Sequence, residues 1–484
     1  MADVIAGAVQ RVPGRDVPAP GSLGEPRQRL SRERSQVRSS ERFPFGVVHR
    51  RLCSNRRHSG TVRPPETFQT QPRHHGVVTT NAAGRDVRGY CQPGFEAVAD
   101  VLADNLRTGR EIGASIGVYS AGRSVVHIWG GLADPERAIA WGEHTLTPIA
   151  SISKALATVA LLVLADQSMI DLDEPIASYW PAFARNGKSE IPVHLVLSQR
   201  SGVAALDTAI SNDDAAALDP VLRLIEQQQP WWRPGTKHGY HAVTYGFIIS
   251  GLIHAITGRT VGQYFAEEIA TPYGLDLFIG LPSTRHSLVA PMVGPTQLQA
   301  VRALLRPVWL PYGLGLLNRR SASYRATFGG SAAGFDDRDE LVRYEVEDPS
   351  AGAVGNGQSL ARLFAALIGP VDGRRLISEG LMNAARQPQA SGRDVVLRMR
   401  TDWGLGFLLP GGPMWPDVGV PGLFGFAGAS GSLAFADPEH QLAFGYTPNL
   451  WAELSGAGSP SRFRFNDYTA ATYKALGIRR WPRS

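Results

Sequence analysis

Apolar residues recur along the chain with two different periods, which predict where helices and strands form. Residues 95–106 carry apolar side chains at helical spacing. Residues 114–131 instead form two runs, on either side of Ala121 and Gly122, in which apolar residues alternate with others. The first segment predicts a helix and the second a β-hairpin. Residues 151–166 are almost continuously apolar, and this predicts a central helix that is buried on all sides.

In the rest of the chain, helices are predicted first and strands return near the end. Residues from about 175 to 330 indicate helices and loops rich in Pro and Gly, and a further helix is predicted at 359–368. Short alternating runs at 432–437 and 442–447 then indicate strands. Strands early and late, with helices between them, predict an α+β domain whose sheet is built from both ends of the chain, with a mostly helical insertion at about 175–330.

Charge is distributed unevenly along the sequence. The net charge is +6, but residues 1–88 hold 16 Arg, no Lys and seven acidic residues, so residues 89–484 carry a net charge of −3. We therefore expect no nucleic-acid partner for the main domain, 89–484. The basic segment 1–88 has few periodic apolar residues and is predicted to be disordered. An RNA-contacting tail, a targeting segment and a start codon placed too far upstream are the alternatives.

Composition also limits cofactors and location. The only two cysteines, Cys53 and Cys91, suggest a reducing compartment, and no apolar stretch reaches the roughly 18 residues of a membrane span. We therefore predict a cytoplasmic protein without a membrane span, and leave its oligomeric state open. The eight histidines after residue 88 show no metal-ligand spacing, so neither a metal nor another cofactor is expected.

Ser151-Ile152-Ser153-Lys154 forms an S-x-x-K motif at the start of the apolar helix. Three-residue spacing places the Ser151 hydroxyl and the Lys154 amine on one helical face. A lysine buried among apolar side chains is more easily neutral, and can then take the proton of a serine nucleophile. The plain alternative is a helix-capping serine beside a lysine whose amine reaches solvent.

Three segments that follow one another along the chain resemble the serine β-lactamase and penicillin-binding-protein superfamily. They are residues 149–181, 193–203 and 231–246. The similarity is greatest to its class C branch and the family VIII carboxylesterases, and covers about residues 89–480. The resemblance implies a β-lactamase/transpeptidase-like fold, in which helices flank an antiparallel sheet. It also implies that Ser151 is the nucleophile, with Lys154 and Tyr240 shuttling its proton.

Residues around Tyr240 are candidates for the rest of the site. A free phenol titrates near 10, so we expect a neighbouring cation such as Lys154 to lower the pKa of Tyr240. His241 is a candidate substrate contact, although an exposed loop histidine is the simpler interpretation. Trp231 and Trp232 either line an acyl pocket or pack in the core.

The sequence departs from the family pattern at two positions. Ala242 replaces the Asn of the usual Tyr-x-Asn motif, and Phe426 replaces the cation of the third motif. Without that cation a drug carboxylate is held poorly, which favours neutral esters as substrates. Phe426, Gly428 and Ala429 are predicted to line the substrate or oxyanion site, with the Ala429 N–H stabilising the oxyanion.

A second serine motif competes with Ser151. Residues 113–117 match the G-x-S-x-G nucleophile elbow, but Ser115 continues into a strand instead of a turn and helix, so we expect it inside the sheet. The predicted function is thus hydrolysis of a small-molecule ester at Ser151. The alternatives are a β-lactamase or D-amino-acid peptidase on the same fold, and a non-catalytic binding protein.

Overall fold

The computed structural model describes most of the chain after residue 85. The described residues are 86–208, 210–294, 307, 309–328, 340–415, 420, 422–451 and 464–478. The basic segment predicted at 1–88 lies outside them except for its last three residues. The last two of these begin the strand Val87–Cys91, so this strand begins two residues before the predicted boundary at 89.

Thirteen strands lie among the described residues, in two sheets. The large sheet contains β1 (Val87–Cys91), β2 (Gly113–Ser120), β3 (Arg123–Asp134), β4 (Ile139–Ala140), β8 (Ala390–Arg393), β9 (Arg400–Trp403), β10 (Leu408–Leu409), β11 (Phe424–Ala427), β12 (Leu433–Asp437) and β13 (Leu442–Pro448). The small sheet contains β5 (Thr147–Pro148), β6 (Leu277–Phe278) and β7 (Val354–Gly355).

The large sheet joins the two ends of the domain. Its strand order is β1-β3-β2-β13-β12-β11-β10-β9-β8, with β4 paired to β3, and every pair is antiparallel. The hairpin predicted around Ala121 and Gly122 is confirmed as β2 and β3, where Ser120 pairs with Arg123. Strand β2 then pairs with β13 along seven residues, so the predicted sheet from both chain ends is confirmed.

Helices surround this sheet and fill the middle of the chain. The α-helices are α1 (Glu96–Thr108), α2 (Ser153–Asp166), α3 (Ile176–Tyr179), α4 (Val193–Leu197), α5 (Asn212–Ala217), α6 (Asp219–Gln227), α7 (Thr244–Thr257), α8 (Val261–Phe265), α9 (Thr271–Tyr273), α10 (Leu310–Leu316), α11 (Ala322–Phe328), α12 (Glu340–Glu345), α13 (Gly357–Ile368), α14 (Glu379–Ala385) and α15 (Phe465–Ala475). Shorter 3₁₀ segments lie at Ala150–Ile152, Pro181–Ala184 and Ser283–Leu288, and a π-helical segment lies at Ala266–Ala270.

Helix α2 is the centre of the helical layer. Its residues from Ser153 to Leu164 are all buried, which confirms the helix predicted to be apolar on every side. It packs against α7, where the hydroxyls of Thr158 and Tyr245 share a hydrogen bond of 2.7 Å. Helix α13 lies across β2, β12 and β13. No helix in the described part of the chain combines the length and apolar character needed to cross a membrane.

Candidate active site

Ser151 lies in a tight turn at the start of the buried helix. The sequence pattern predicted that the α-helix begins at Ser151, but the structure has a 3₁₀ turn at Ala150–Ile152 before α2 begins at Ser153. Ala150 has a φ of +46°, in the left-handed region that residues other than glycine seldom adopt. Strained backbone conformations of this kind cluster at functional sites, and this one directly precedes Ser151.

Tyr240 contacts the Ser151 hydroxyl directly. Its Oη donates a hydrogen bond of 2.7 Å to Ser151 Oγ, and its ring stacks on Trp403 with centroids 5.9 Å apart. Burial raises the pKa of Tyr240, and the carboxylates of Asp394 and Asp348 raise it further, while the bond to Ser151 opposes the shift. The expected lowering of this pKa by Lys154 was therefore wrong, because burial dominates the shift.

Lys154 lies beside the same ring, with no exposed surface. Its Nζ is 4.8 Å from the Tyr240 ring centroid and donates a hydrogen bond of 2.8 Å to the carbonyl oxygen of Ser350. Burial lowers the pKa of Lys154 from 10.5 to about 7, and the Asp348 carboxylate opposes this shift. At neutral pH a large fraction of Lys154 is therefore an uncharged amine, which can accept a proton.

Tyr240 and Lys154 are suited to different roles in proton transfer. Tyr240 keeps its proton and donates it towards Ser151, while Lys154 supplies the basic lone pair. A protonated phenol can pass a proton along but cannot hold an additional one, so the net proton acceptor available in this cluster is Lys154. Ser151, Lys154 and Tyr240, which the sequence analysis had grouped, lie together in the structure.

The predicted oxyanion loop is attached to the nucleophile turn. Ser432 Oγ donates a hydrogen bond of 3.0 Å to the carbonyl oxygen of Ile149, and the Gly428 N–H donates one of 2.8 Å to the Ser432 carbonyl. A Cβ at Gly428 would lie 2.4 Å from the Ile149 oxygen, so this approach requires glycine. Ala429, the next residue, is exposed, so it is accessible to a substrate.

Phe426 and His241 do not lie where the sequence analysis expected them. Phe426 is 1% exposed and packs against Trp403, so it lies behind Tyr240 and does not line the substrate site. His241 is fully buried, bonded to Ser201 and Gly239, and is neither a substrate contact nor an exposed loop residue. A motif position identifies the strand or loop but leaves open the direction in which the side chain points.

Trp232 and Tyr240 border one small apolar cluster. The two side chains are half-buried against Val396 and Ala326, so Trp232 is available as a wall next to the site. Three further residues contact or influence Tyr240 and Lys154 but carry no signal in the sequence: Trp403, Asp348 and Ser350. No local motif marks them, because their partners lie more than 100 positions away in the chain.

Comparison with known proteins shows which family the chain belongs to. The family model described as Beta-lactamase matches residues 98–465. The chain belongs to the beta-lactamase family. The matched residues span most of the described domain, and Ser151, Lys154 and Tyr240 lie within them.

Three known proteins resemble this chain over most of its length. "Esterase/beta-lactamase LipL" of Mycobacterium tuberculosis is 31% identical over 377 residues, covering 76% of this chain and 84% of the relative. The crystal structure of a family VIII carboxylesterase superposes with a TM-score of 0.69 at 30% identity, covering 81% of this chain and all of that one. A penicillin-binding-protein homologue from Caulobacter crescentus has a TM-score of 0.67 at 31% identity, with the same coverage. The protein is thus a hydrolase of β-lactamase/transpeptidase-like fold with esterase-like relatives.

Proposed function

We propose that this protein is a serine carboxylesterase that cleaves small neutral esters through an acyl-enzyme on Ser151. The observation that carries the proposal is the hydrogen bond of 2.7 Å between Tyr240 Oη and Ser151 Oγ, beside a lysine with a pKa of about 7. The esterases among its relatives support the same reaction class.

In the first half of the reaction, Ser151 Oγ attacks the carbonyl carbon of the ester. Its proton passes to the neutral amine of Lys154, with the Tyr240 phenol able to relay it. The carbonyl oxygen becomes an oxyanion, which the backbone N–H groups of Ser151 and Ala429 stabilise. The bond to the alcohol oxygen then breaks, and the Lys154 ammonium returns the proton to the leaving alcohol.

In the second half, water attacks the acyl-enzyme carbonyl and gives a proton to the same amine. Collapse of this second intermediate breaks the bond to Ser151 Oγ, which takes the proton back, and the carboxylic acid is released. The cycle consumes one water and returns every protein group to its starting state. It requires no cofactor, and we propose that it proceeds in the cytoplasm.

The residues around the cluster favour a neutral substrate. The third-motif position is occupied by the buried, apolar Phe426 and so supplies no cation for the carboxylate of a penicillin-like drug, and Ala242 offers no side-chain amide to a peptide-like substrate. The apolar Trp232 wall suits a short hydrocarbon acyl group. We therefore place β-lactam and D-amino-acid amide hydrolysis well below ester hydrolysis.

The test is hydrolysis of p-nitrophenyl acetate, butyrate and octanoate by the wild type, Ser151→Ala and Ser115→Ala. Ser115 is a matched control because it is the competing candidate nucleophile, the serine of the G-x-S-x-G sequence, but is buried in β2, 1% exposed. We expect Ser151→Ala to abolish both hydrolysis and labelling by a fluorophosphonate probe, while Ser115→Ala retains both. Wild-type protein that neither hydrolyses esters nor reacts with the probe would refute the proposal, and faster hydrolysis of nitrocefin than of any ester would refute the substrate class.

A further inference from the structure

Three consecutive backbone N–H groups around Tyr240 are all held by just two residues. The N–H of Gly239 donates to the backbone carbonyl of Gln199 at 3.0 Å, and the N–H of His241 donates to the side-chain oxygen of the same Gln199 at 2.8 Å. Between them, the N–H of Tyr240 donates to Asp394 Oδ1 at 3.1 Å. The segment carrying the phenol is thus fixed on both sides of Tyr240 and at Tyr240 itself.

Gln199 reaches this segment through an uncommon backbone conformation. Its φ is +62°, in the left-handed region, and the whole residue is buried. Because its backbone carbonyl and its side chain accept from residues on either side of Tyr240, both groups face the same short segment. Residues other than glycine are seldom held in this region, so the surrounding contacts must offset the strain of Gln199.

Asp394 is itself held rigidly on the other side. Its Oδ1 also accepts the N–H groups of Val396 and Leu397, both at 2.8 Å, so a tight turn fixes the carboxylate. The residue is fully buried, and its charge is one of the causes that raise the pKa of Tyr240. Asp394 therefore fixes the position of Tyr240 and favours the protonated phenol.

We propose that Gln199 and Asp394 are positioning residues that hold Tyr240 at hydrogen-bonding distance from Ser151. This inference rests on the proposed esterase function, in which proton transfer depends on the 2.7 Å contact between Tyr240 and Ser151. Displacement of a reacting group by about 1 Å can lower a rate by roughly 100-fold. Neither Gln199 nor Asp394 touches the reacting atoms. Loss of either side chain should therefore affect turnover more than substrate binding.

Gln199 offers the cleaner test, because its side chain can be changed without removing its backbone carbonyl. Gln199→Leu removes the acceptor for His241, Gln199→Glu retains an oxygen at the same reach, and Ser198→Ala is a matched control. Ser198 is equally buried, but its hydroxyl bonds to His194 within α4 and not to the Tyr240 segment. kcat is measured with p-nitrophenyl butyrate and expressed per site labelled by the fluorophosphonate. Misfolded protein, which is not labelled, then does not affect the value.

We expect Gln199→Leu to lower kcat by about 10- to 100-fold with KM changed less than threefold. Gln199→Glu should recover most of this loss, and Ser198→Ala should remain within twofold of the wild type. Gln199→Leu with unchanged kcat per labelled site, or a loss equal to that of Ser198→Ala, would overturn the role of Gln199.

Asp394 is tested by a second pair of variants. Asp394→Asn keeps the Oδ1 acceptor and is expected to retain kcat within about fivefold, whereas Asp394→Ala removes the acceptor for the Tyr240 N–H and should lose at least 10-fold. Equal kcat in the two variants would overturn its positioning role. A wild-type protein without esterase activity would refute the proposed function, whereas an active wild type with fully active Gln199 and Asp394 variants would refute only this inference.

Discussion

Lys154 should make the folded protein less stable than it would be without a charge at this position. Burial lowers its pKa from 10.5 to about 7, a difference of 3.5 pH units between the exposed and the folded lysine. At about 1.36 kcal/mol per unit, the charged form costs the fold roughly 5 kcal/mol when the pH is below 7. Met has nearly the same length and no charge, so Lys154→Met removes this cost.

The replacement also has a cost, which can be read from the structure. The Ser350 carbonyl loses the donor that Lys154 Nζ provides at 2.8 Å, and a buried acceptor without a partner costs about 1–3 kcal/mol. At pH 6 we therefore expect Lys154→Met to raise the free energy of unfolding by about 2–4 kcal/mol. The same substitution should abolish ester hydrolysis, because the proton acceptor is lost.

The sign of the pH dependence follows from the direction of the shift. Between pH 7 and 10.5 the unfolded lysine is protonated while the folded lysine is largely neutral, so the unfolded state binds more protons and wild-type stability rises with pH. At pH 9 the remaining penalty is about 2 kcal/mol, which the lost hydrogen bond roughly cancels. The advantage of the Met variant should therefore disappear between pH 6 and pH 9.

The assay is equilibrium urea unfolding of the wild type and Lys154→Met at pH 6 and pH 9, with Lys237→Met as the control. Lys237 is exposed, so its replacement should change stability by less than about 0.5 kcal/mol at either pH. A Met variant that is less stable than the wild type at pH 6, or equally stabilised at both pH values, would refute this account of Lys154.

Three other predictions follow from groups near the site and in the core. The kcat/KM for ester hydrolysis should rise with pH and level off above about pH 7, as Lys154 loses its proton; a limb centred below pH 5.5 would contradict this assignment. Lys188 is also buried, and burial lowers its pKa to about 8, but its ammonium donates to three backbone carbonyls at 2.7–2.8 Å. Three acceptors without a donor, at about 1–3 kcal/mol each, outweigh the roughly 3 kcal/mol gained by removing the charge, so Lys188→Met should destabilise the protein by about 1–5 kcal/mol in urea unfolding at pH 6; a variant as stable as the wild type would argue against this. A Cβ at Gly239 would lie 2.6 Å from Val395 and 2.9 Å from Trp232, so Gly239→Ala should displace the next residue and lower kcat at least 10-fold; an unchanged kcat would show that the neighbours yield without cost.

Sequence periodicity predicted the parts of the fold that depend on local pattern. The helix at α1, the hairpin of β2 and β3, and the strands β12 and β13 all follow from the spacing of apolar residues, and Ser115 was correctly expected within β2. The three residues that meet at the candidate site were grouped because S-x-x-K spacing and family resemblance both pointed to them.

Contacts between segments distant in the chain could not be predicted from the sequence pattern. Asp394 lies 154 positions after Tyr240, and nothing near either residue indicates that a backbone N–H of one donates to the carboxylate of the other. Gln199 lies in a segment that resembled the family, but its left-handed backbone has no local signal such as glycine. The burial of Phe426 and His241 likewise depends on neighbours that only the folded chain supplies.

The seam between β2 and β13 has a consequence for the biosynthesis of the protein. More than 300 residues separate Ser120 from Leu442, its partner at one end of this seam. A ribosome must therefore release β13 before β2 can acquire its second neighbour, and until then one edge of β2 is unpaired. Unpaired apolar strands invite aggregation, so the nascent hairpin of β2 and β3 exposes an edge that a chaperone bound during translation would protect.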